Sequence, residues 1–173
     1  DATVDTTILE IAGTVTVTVA YEDKTATFTV TVTEPAPEEP ENIAEGTIDG
    51  TDIAWVIDAE GTLTVSGTGA IPNYTRSATA PWTSYAKQIK KIVVASGIAE
   101  IGDYAFYNLQ KATSIELSET VKELRLQFIR GTAITEITLP AVERIREQAF
   151  ARADSLKVIN AGESVKDIWG TIF

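Results

Sequence analysis

The carboxylates are the residues in this sequence best supplied for chemistry. There are twenty-five Asp and Glu among 173 residues, and an acid and a nucleophile at a set separation would suffice for glycoside hydrolysis. Nothing in their spacing singles out two. The chain has no His and no Cys, which removes Ser–His and Cys–His nucleophilic catalysis and the ordinary zinc sites. Asp49-Gly50-Thr51-Asp52, with Asp58 and Glu60, gathers oxygen donors, but the spacing is not that of an EF-hand, so no metal is expected. Gly67-x-Gly69 lacks the third glycine and the Lys-Ser/Thr of nucleotide-binding loops and reads as a turn that ends a strand. Trp55, Trp82 and Trp169, with Tyr74, Tyr85, Tyr104 and Tyr107, have the ring area of a sugar-stacking platform. Tryptophans are mostly buried, however, and all three are expected in a core or cap. The residues therefore point to a chain that is not an enzyme and needs no cofactor.

The elements behind these residues are set by a pattern that recurs about every twenty-two positions. It reads Ile89-x-x-Ile92-x-Val94, Ile98-x-x-Ile101, Phe106, and again Ile134-x-x-Ile137-x-Leu139, Val142-x-x-Ile145, Phe150. The same frame fits Ala112, Ile115, Leu117, Val121 and Leu124, then Leu156, Ile159, Ala161, Val165, Ile168 and Phe173. About four copies of one unit over 89–173, the last incomplete, predict a solenoid. The short β-branched runs are its strands, stacked as a parallel sheet. Ile92 and Val94, Ile115 and Leu117, Ile137 and Leu139, and Ile159 and Ala161 then point inward. Alternation sends Lys91, Val93, Ser114, Glu116, Glu136, Thr138, Val158 and Asn160 outward,. Because solenoids commonly bind along such a surface, these eight are the candidate face for a protein partner. A glycan ligand, as in a carbohydrate-binding or glycosidase-associated domain, is the first alternative. A structural stalk is the second.

Upstream, residues 14–33 alternate strictly between apolar and polar in two runs broken at Glu22-Asp23-Lys24. They predict a β-hairpin with Val15, Val17, Val19, Ala26, Phe28, Val30 and Val32 on one face. A hairpin alone is marginal in water, so residues 1–33 are expected to be part of a β-domain or to exchange strands through 14–33 in a dimer. Residues 34–43 hold Glu34-Pro35-Ala36-Pro37-Glu38-Glu39-Pro40-Glu41. Fixed φ angles and like charges make this an extended linker. Residues 44–88 contain two strands, Ala54–Ile57 and Leu63–Ser66, and a helical turn after Pro81-Trp82, and are read as a β-hairpin cap sealing the first repeat. The net charge of −11 is concentrated at the front, with nine acidic and one basic residue in 1–44. No basic stripe suits nucleic acid or an anionic membrane, and no apolar run is long enough to insert into a bilayer.

The run Trp55-Val56-Ile57 through Gly61-Thr62-Leu63-Thr64-Val65-Ser66-Gly67-Thr68-Gly69, then Ala80-Pro81-Trp82, Ile89 to Val94, and Ile101-Gly102-Asp103-Tyr104-Ala105-Phe106-Tyr107-Asn108 resembles the BspA-type leucine-rich repeat family over about 44–173. Residues 14–33 resemble the last strands of a bacterial immunoglobulin-like domain. Together these likenesses imply a mainly β chain with minor helix: a leucine-rich repeat solenoid and a small antiparallel segment. They also imply a secreted or cell-surface bacterial protein whose repeats serve adhesion and protein binding, with no catalytic residues to carry over. A chain without thiols is compatible with that setting. The sequence departs from the family at Phe128-Ile129, at Leu109, Thr132 and Ala153 where Cys is frequent, and at Trp169 where Gly is usual.

Overall fold

The computed structural model describes residues 13–22, 24–32 and 41–173, and the chain divides into two units, 1–39 and 40–173. In the first unit, β1 (Gly13–Tyr21) and β2 (Lys24–Val32) form an antiparallel hairpin. Glu22 takes φ 51° in its two-residue turn, the positive value that matches a tight turn to strand twist. The register sets Val15 opposite Val30, Val17 opposite Phe28 and Val19 opposite Ala26, and Phe28 is 53 % exposed. An immunoglobulin-like fold needs two packed sheets, and the described part of 1–33 holds this one hairpin.

The second unit is a stack of rungs with three walls. Its first wall begins with a meander, β3 (Ala44–Thr47), β4 (Ala54–Ile57) and β5 (Thr62–Ser66). The turn between β4 and β5 closes through Gly61 at φ 88° and through the Asp58 carboxylate, whose Oδ1 accepts from the Thr62 N–H at 2.7 Å. β5 then pairs in parallel with β7 (Lys91–Val94), and β7 with β9 (Ser114–Leu117). The cap is therefore more than a hairpin seal, because its last strand is the first rung of the parallel wall. β6 (Gly69–Ile71) likewise opens a second wall, which runs in parallel through β8 (Ile98–Ile101), β10 (Glu123–Leu124), β12 (Arg144–Ile145) and β14 (Asp167–Ile168). A 3-10 helix, Pro81–Tyr85, crosses between the first rung and the next.

The expected unbroken sheet is interrupted once on the first wall. β11 (Glu136–Leu139) pairs with β13 (Val158–Ala161), but the sheet that starts at β3 stops at β9. The residue that follows the strand is a donor in the earlier copies: after β7 the Ala95 N–H reaches Val65 O at 2.9 Å, and after β9 the Ser118 N–H reaches Val94 O at 3.1 Å. At the corresponding place after β11 stands Pro140, which has no N–H to give.

The third wall is made of turns. Their backbones still pair between rungs, with Tyr104 N–H to Leu126 O at 2.9 Å, Phe106 to Phe128 at 2.7 Å and Gln148 to Thr171 at 2.7 Å. Each turn holds two left-handed positions, at Tyr104 and Asn108, Gln127 and Gly131, and Gln148 and Arg152. Between the walls lies one apolar core. Ile92, Ile98, Ile101, Phe106, Leu124, Phe128, Ile137, Leu139 and Phe150 are all buried there, and copy two fills its interior from both Phe128 and Ile129. The fourth copy departs from expectation. Ile159 and Val165 are only half-buried, Ala161 is exposed, and Ile168 and Phe173 are 56 % and 66 % exposed, because among the described residues this rung is packed on one side alone.

Candidate functional site

Alternation is clear along β7, β9 and β11 of the first wall and weak along β13, where Ile159 is half-buried and Ala161 exposed. Ile92, Val94, Ile115, Ile137 and Leu139 are buried, while Ser114, Glu116, Glu136, Thr138, Val158 and Asn160 are exposed, and Lys91 and Val93 are half-exposed. Register aligns Lys91 with Ser114, Val93 with Glu116, Glu136 with Val158, and Thr138 with Asn160. The eight residues thus form two columns in two blocks, four on β7 and β9 and four on β11 and β13, divided where the ladder breaks.

Side chains also bridge diagonally between those columns. Lys91 Nζ lies 2.7 Å from Glu116 Oε1, and Asn160 Nδ2 donates to Glu136 Oε1 at 2.6 Å. The first contact is an exposed ion pair of small energetic weight, but both contacts fix rotamers on the face. The face also extends into the cap, which sequence reasoning did not include. Thr62 and Thr64 of β5 align with Lys91 and Val93, and Val56 and Glu45 continue the row across β4 and β3. Period-two alternation in 54–66 carried that signal. It was obscured because an antiparallel cap strand was not expected to continue into a parallel rung.

The second wall carries an ionic network that sequence reasoning missed. Glu123 is 1 % exposed, and its carboxylate accepts from Arg144 Nε at 2.7 Å and from Arg146 Nε at 2.7 Å, with Arg125 Nη2 3.2 Å away. Arg125 also donates to Glu100 Oε2 at 2.8 Å. Burial pushes the Glu123 carboxyl upward, but the hydrogen bonds from Arg146 and Arg144 and the charge of Arg125 outweigh it and hold it below the usual carboxylate range,. Arg146 in turn lies 3.9 Å over the indole of Trp169, a cation–π stack. Trp169 is 53 % exposed, unlike Trp55 and Trp82, which are buried as expected. It occupies the position two residues beyond Asp167 that Arg125 and Arg146 hold in earlier copies, and so projects from the wall.

The carboxylates considered for a metal do not converge. Asp58 is used in its turn, and among the described residues no three Asp or Glu form a group that could hold an ion. No helix among the described residues is long and apolar enough to cross a membrane.

A family model described as the BspA type Leucine rich repeat region (6 copies) matches residues 83–173. Among solved structures, the chain is similar to a leucine-rich repeat protein from Eubacterium ventriosum, at 23 % identity and TM-score 0.51, over 75 % of this chain and 45 % of that one. It also matches the pneumococcal vaccine antigen PcpA at 15 % identity and TM-score 0.44, over 72 % and 40 % of the two chains. A leucine-rich cell surface protein from Faecalibacterium prausnitzii matches at 18 % identity and TM-score 0.34, over 77 % and 46 %. The chain therefore spans less than half the length of each of these proteins. No curated protein sequence matches it.

Proposed function

Taking as premise that the chain belongs to the BspA-type leucine-rich repeat family, we propose that residues 40–173 are a non-catalytic recognition module that binds a protein partner through the outward face of the first wall. The setting is the bacterial cell surface or the extracellular space, in keeping with a neighbour described as a cell surface protein and another as a vaccine antigen. The observation that carries the reading is the outward face from Lys91 and Val93 to Val158 and Asn160. Its side chains stand in register within each of two paired-strand blocks, β7 with β9 and β11 with β13, and one diagonal contact holds each block. A face ordered before binding loses less side-chain entropy when a partner docks.

Mixed polarity, with Glu116 and Glu136 among threonines and valines, suits the rim and orientation contacts of a protein interface. Reversing both charges, Glu116→Lys with Glu136→Lys, is expected to weaken a partner recovered from surface or extracellular fractions by about tenfold or more, at the scale of one or two lost charge-assisted contacts. Titration calorimetry against the parent chain checks this, with the melting temperature as a control for folding. Unchanged affinity would remove the face from the interface.

A further inference from the structure

The third wall carries two adjoining grooves that the sheet-face reading does not use. One, of about 650 Å³, is lined by Thr75, Arg76, Ser77, Tyr104 and Tyr107. The other, of about 240 Å³, is lined by Tyr107, Asn108, Arg130, Gly131, Arg152 and Asp154. Tyr107 belongs to both, so they form one trough crossing the rungs. We propose that this trough binds an acidic glycan, a saccharide bearing carboxylates or sulfates.

Charge is the first argument. The chain is acidic overall, yet three arginines line the trough, Arg76 in the first groove and Arg130 and Arg152 in the second, and among the described residues none is paired with a carboxylate. The contrast with the second wall is direct, since Arg125, Arg144 and Arg146 there are tied to Glu100 and Glu123. Of the three in the trough, Arg130 is positioned by its hydrogen bond to Gln127 Oε1 at 2.8 Å. The Gly131 N–H bonds to Arg152 O at 3.1 Å, so Arg130 and Arg152 sit on neighbouring rungs, about 5 Å apart along the stack. Arginines on successive rungs suit a ligand that repeats its negative charge, and a guanidinium engages carboxylate or sulfate oxygens through a planar fork.

Lining chemistry then separates a glycan from an acidic peptide. A protein-binding hot spot needs an apolar pocket for an anchoring side chain, and neither groove is lined by Leu, Ile, Val or Met. What they offer instead is ring face and hydrogen-bonding groups. Tyr104 and Tyr107 stand edge to face at 5.9 Å, and Thr75, Ser77, Asn108 and Asp154 supply hydroxyl, amide and carboxylate partners for sugar hydroxyls. Backbone geometry places several of these side chains. Tyr104, Asn108 and Arg152 occupy left-handed positions at φ 54°, 60° and 62°, where glycine would be relaxed and a side chain costs about 1–2 kcal/mol. Gly131, at φ 70°, is the one of the recurring positions that gives up its side chain, and it floors the second groove.

The test uses the 173-residue chain and four probes of similar length: a polygalacturonate oligosaccharide, a sulfated oligosaccharide, a neutral oligosaccharide and a poly-glutamate peptide. Binding to one or both acidic saccharides is expected, weakening as salt rises, with the neutral sugar and the peptide at least tenfold weaker. Arg130→Gln with Arg152→Gln is expected to lower saccharide affinity by about tenfold or more and to flatten the salt dependence. Tyr107→Ala should lower affinity while leaving the salt dependence in place, and Lys157→Gln with Lys90→Gln, elsewhere on the stack, should change neither. Glu116→Lys with Glu136→Lys should leave saccharide binding intact, which keeps this outcome separate from that of the sheet face. Failure of both acidic saccharides to bind, equal binding of poly-glutamate, or wild-type binding by the Arg130 and Arg152 variant with an unchanged melting temperature would each overturn the proposal.

Discussion

Replacing Trp82 with Ala is expected to destabilise the repeat unit by about 3–5 kcal/mol, the range for removing a large buried aromatic, and to be the most damaging single change outside the backbone. Trp82 is wholly buried where the cap meets the first full repeat. Its ring packs edge-on to Trp55 at 6.2 Å and to Tyr74 at 6.2 Å, and it stacks on Phe106 at 5.9 Å. The indole N–H donates to Ala105 O at 2.9 Å, so truncation empties a large volume and also orphans a buried carbonyl. Because repeats contact only their neighbours, loss at this joint should loosen the cap and copy one before it reaches copy three. Thermal unfolding followed by near-ultraviolet circular dichroism checks the magnitude. Hydrogen exchange checks the locality, with amides of 91–101 expected to lose more protection than those of 136–145. Trp82→Phe, which keeps most of the volume but loses the hydrogen bond, should cost distinctly less.

The second large effect is expected at Glu123. Glu123→Ala removes the carboxylate shared by Arg125, Arg144 and Arg146 and leaves three positive charges crowded on the second wall. Breaking a buried pair by deleting one partner typically costs 3–5 kcal/mol. The arginines here are 28–37 % exposed and can recover some water, so the expected loss is about 2–3 kcal/mol. The variant should also alter the pH response. A carboxyl held below its ordinary range contributes stability above the unfolded-state value, near 4.3 for Glu, and that contribution disappears as pH falls through the lower folded-state value,. The parent chain should therefore lose part of its stability between about pH 4.5 and the lower value, while Glu123→Ala loses less over the same interval. Urea unfolding at pH 7 and at pH 3.5 compares the two. A difference between parent and variant that is the same at both pH values would contradict the assignment.

How far these features could be read from sequence depended on whether they lie on a period. The first wall was legible because strict alternation in Lys91–Val94, Ser114–Leu117 and Glu136–Leu139 fixes both the inward and the outward columns. The Glu123 network alternates too, with Glu123 and Arg125 flanking Leu124, and Arg144 and Arg146 flanking Ile145. Seeing the contact required the rung register, which pairs Glu123 with Arg144 across a step of different length from its neighbours. The trough of the third wall had no period to reveal it. Arg76 comes from the cap, Arg130 and Arg152 occupy different positions of their turns, and only folded rungs bring them together. Trp169 was misjudged for a related reason: tryptophan's preference for burial was weighed without the rung position, which points the side chain away from the core. The break after β9 was visible as Pro140, whose missing donor shows its effect only when the neighbouring rung is in place.

Recognition through the first wall can be tested directly, because the chain has no native cysteine. Single cysteines at Thr138 on the first wall, Asp167 on the second and Arg152 on the third, all exposed, can each be coupled to a bulky maleimide and assayed for affinity to the same protein partner. Coupling at Thr138→Cys is expected to abolish binding while Asp167→Cys and Arg152→Cys, equally labelled and equally folded, retain it. Full binding by the chain blocked at Thr138→Cys, with loss at either other position, would contradict it.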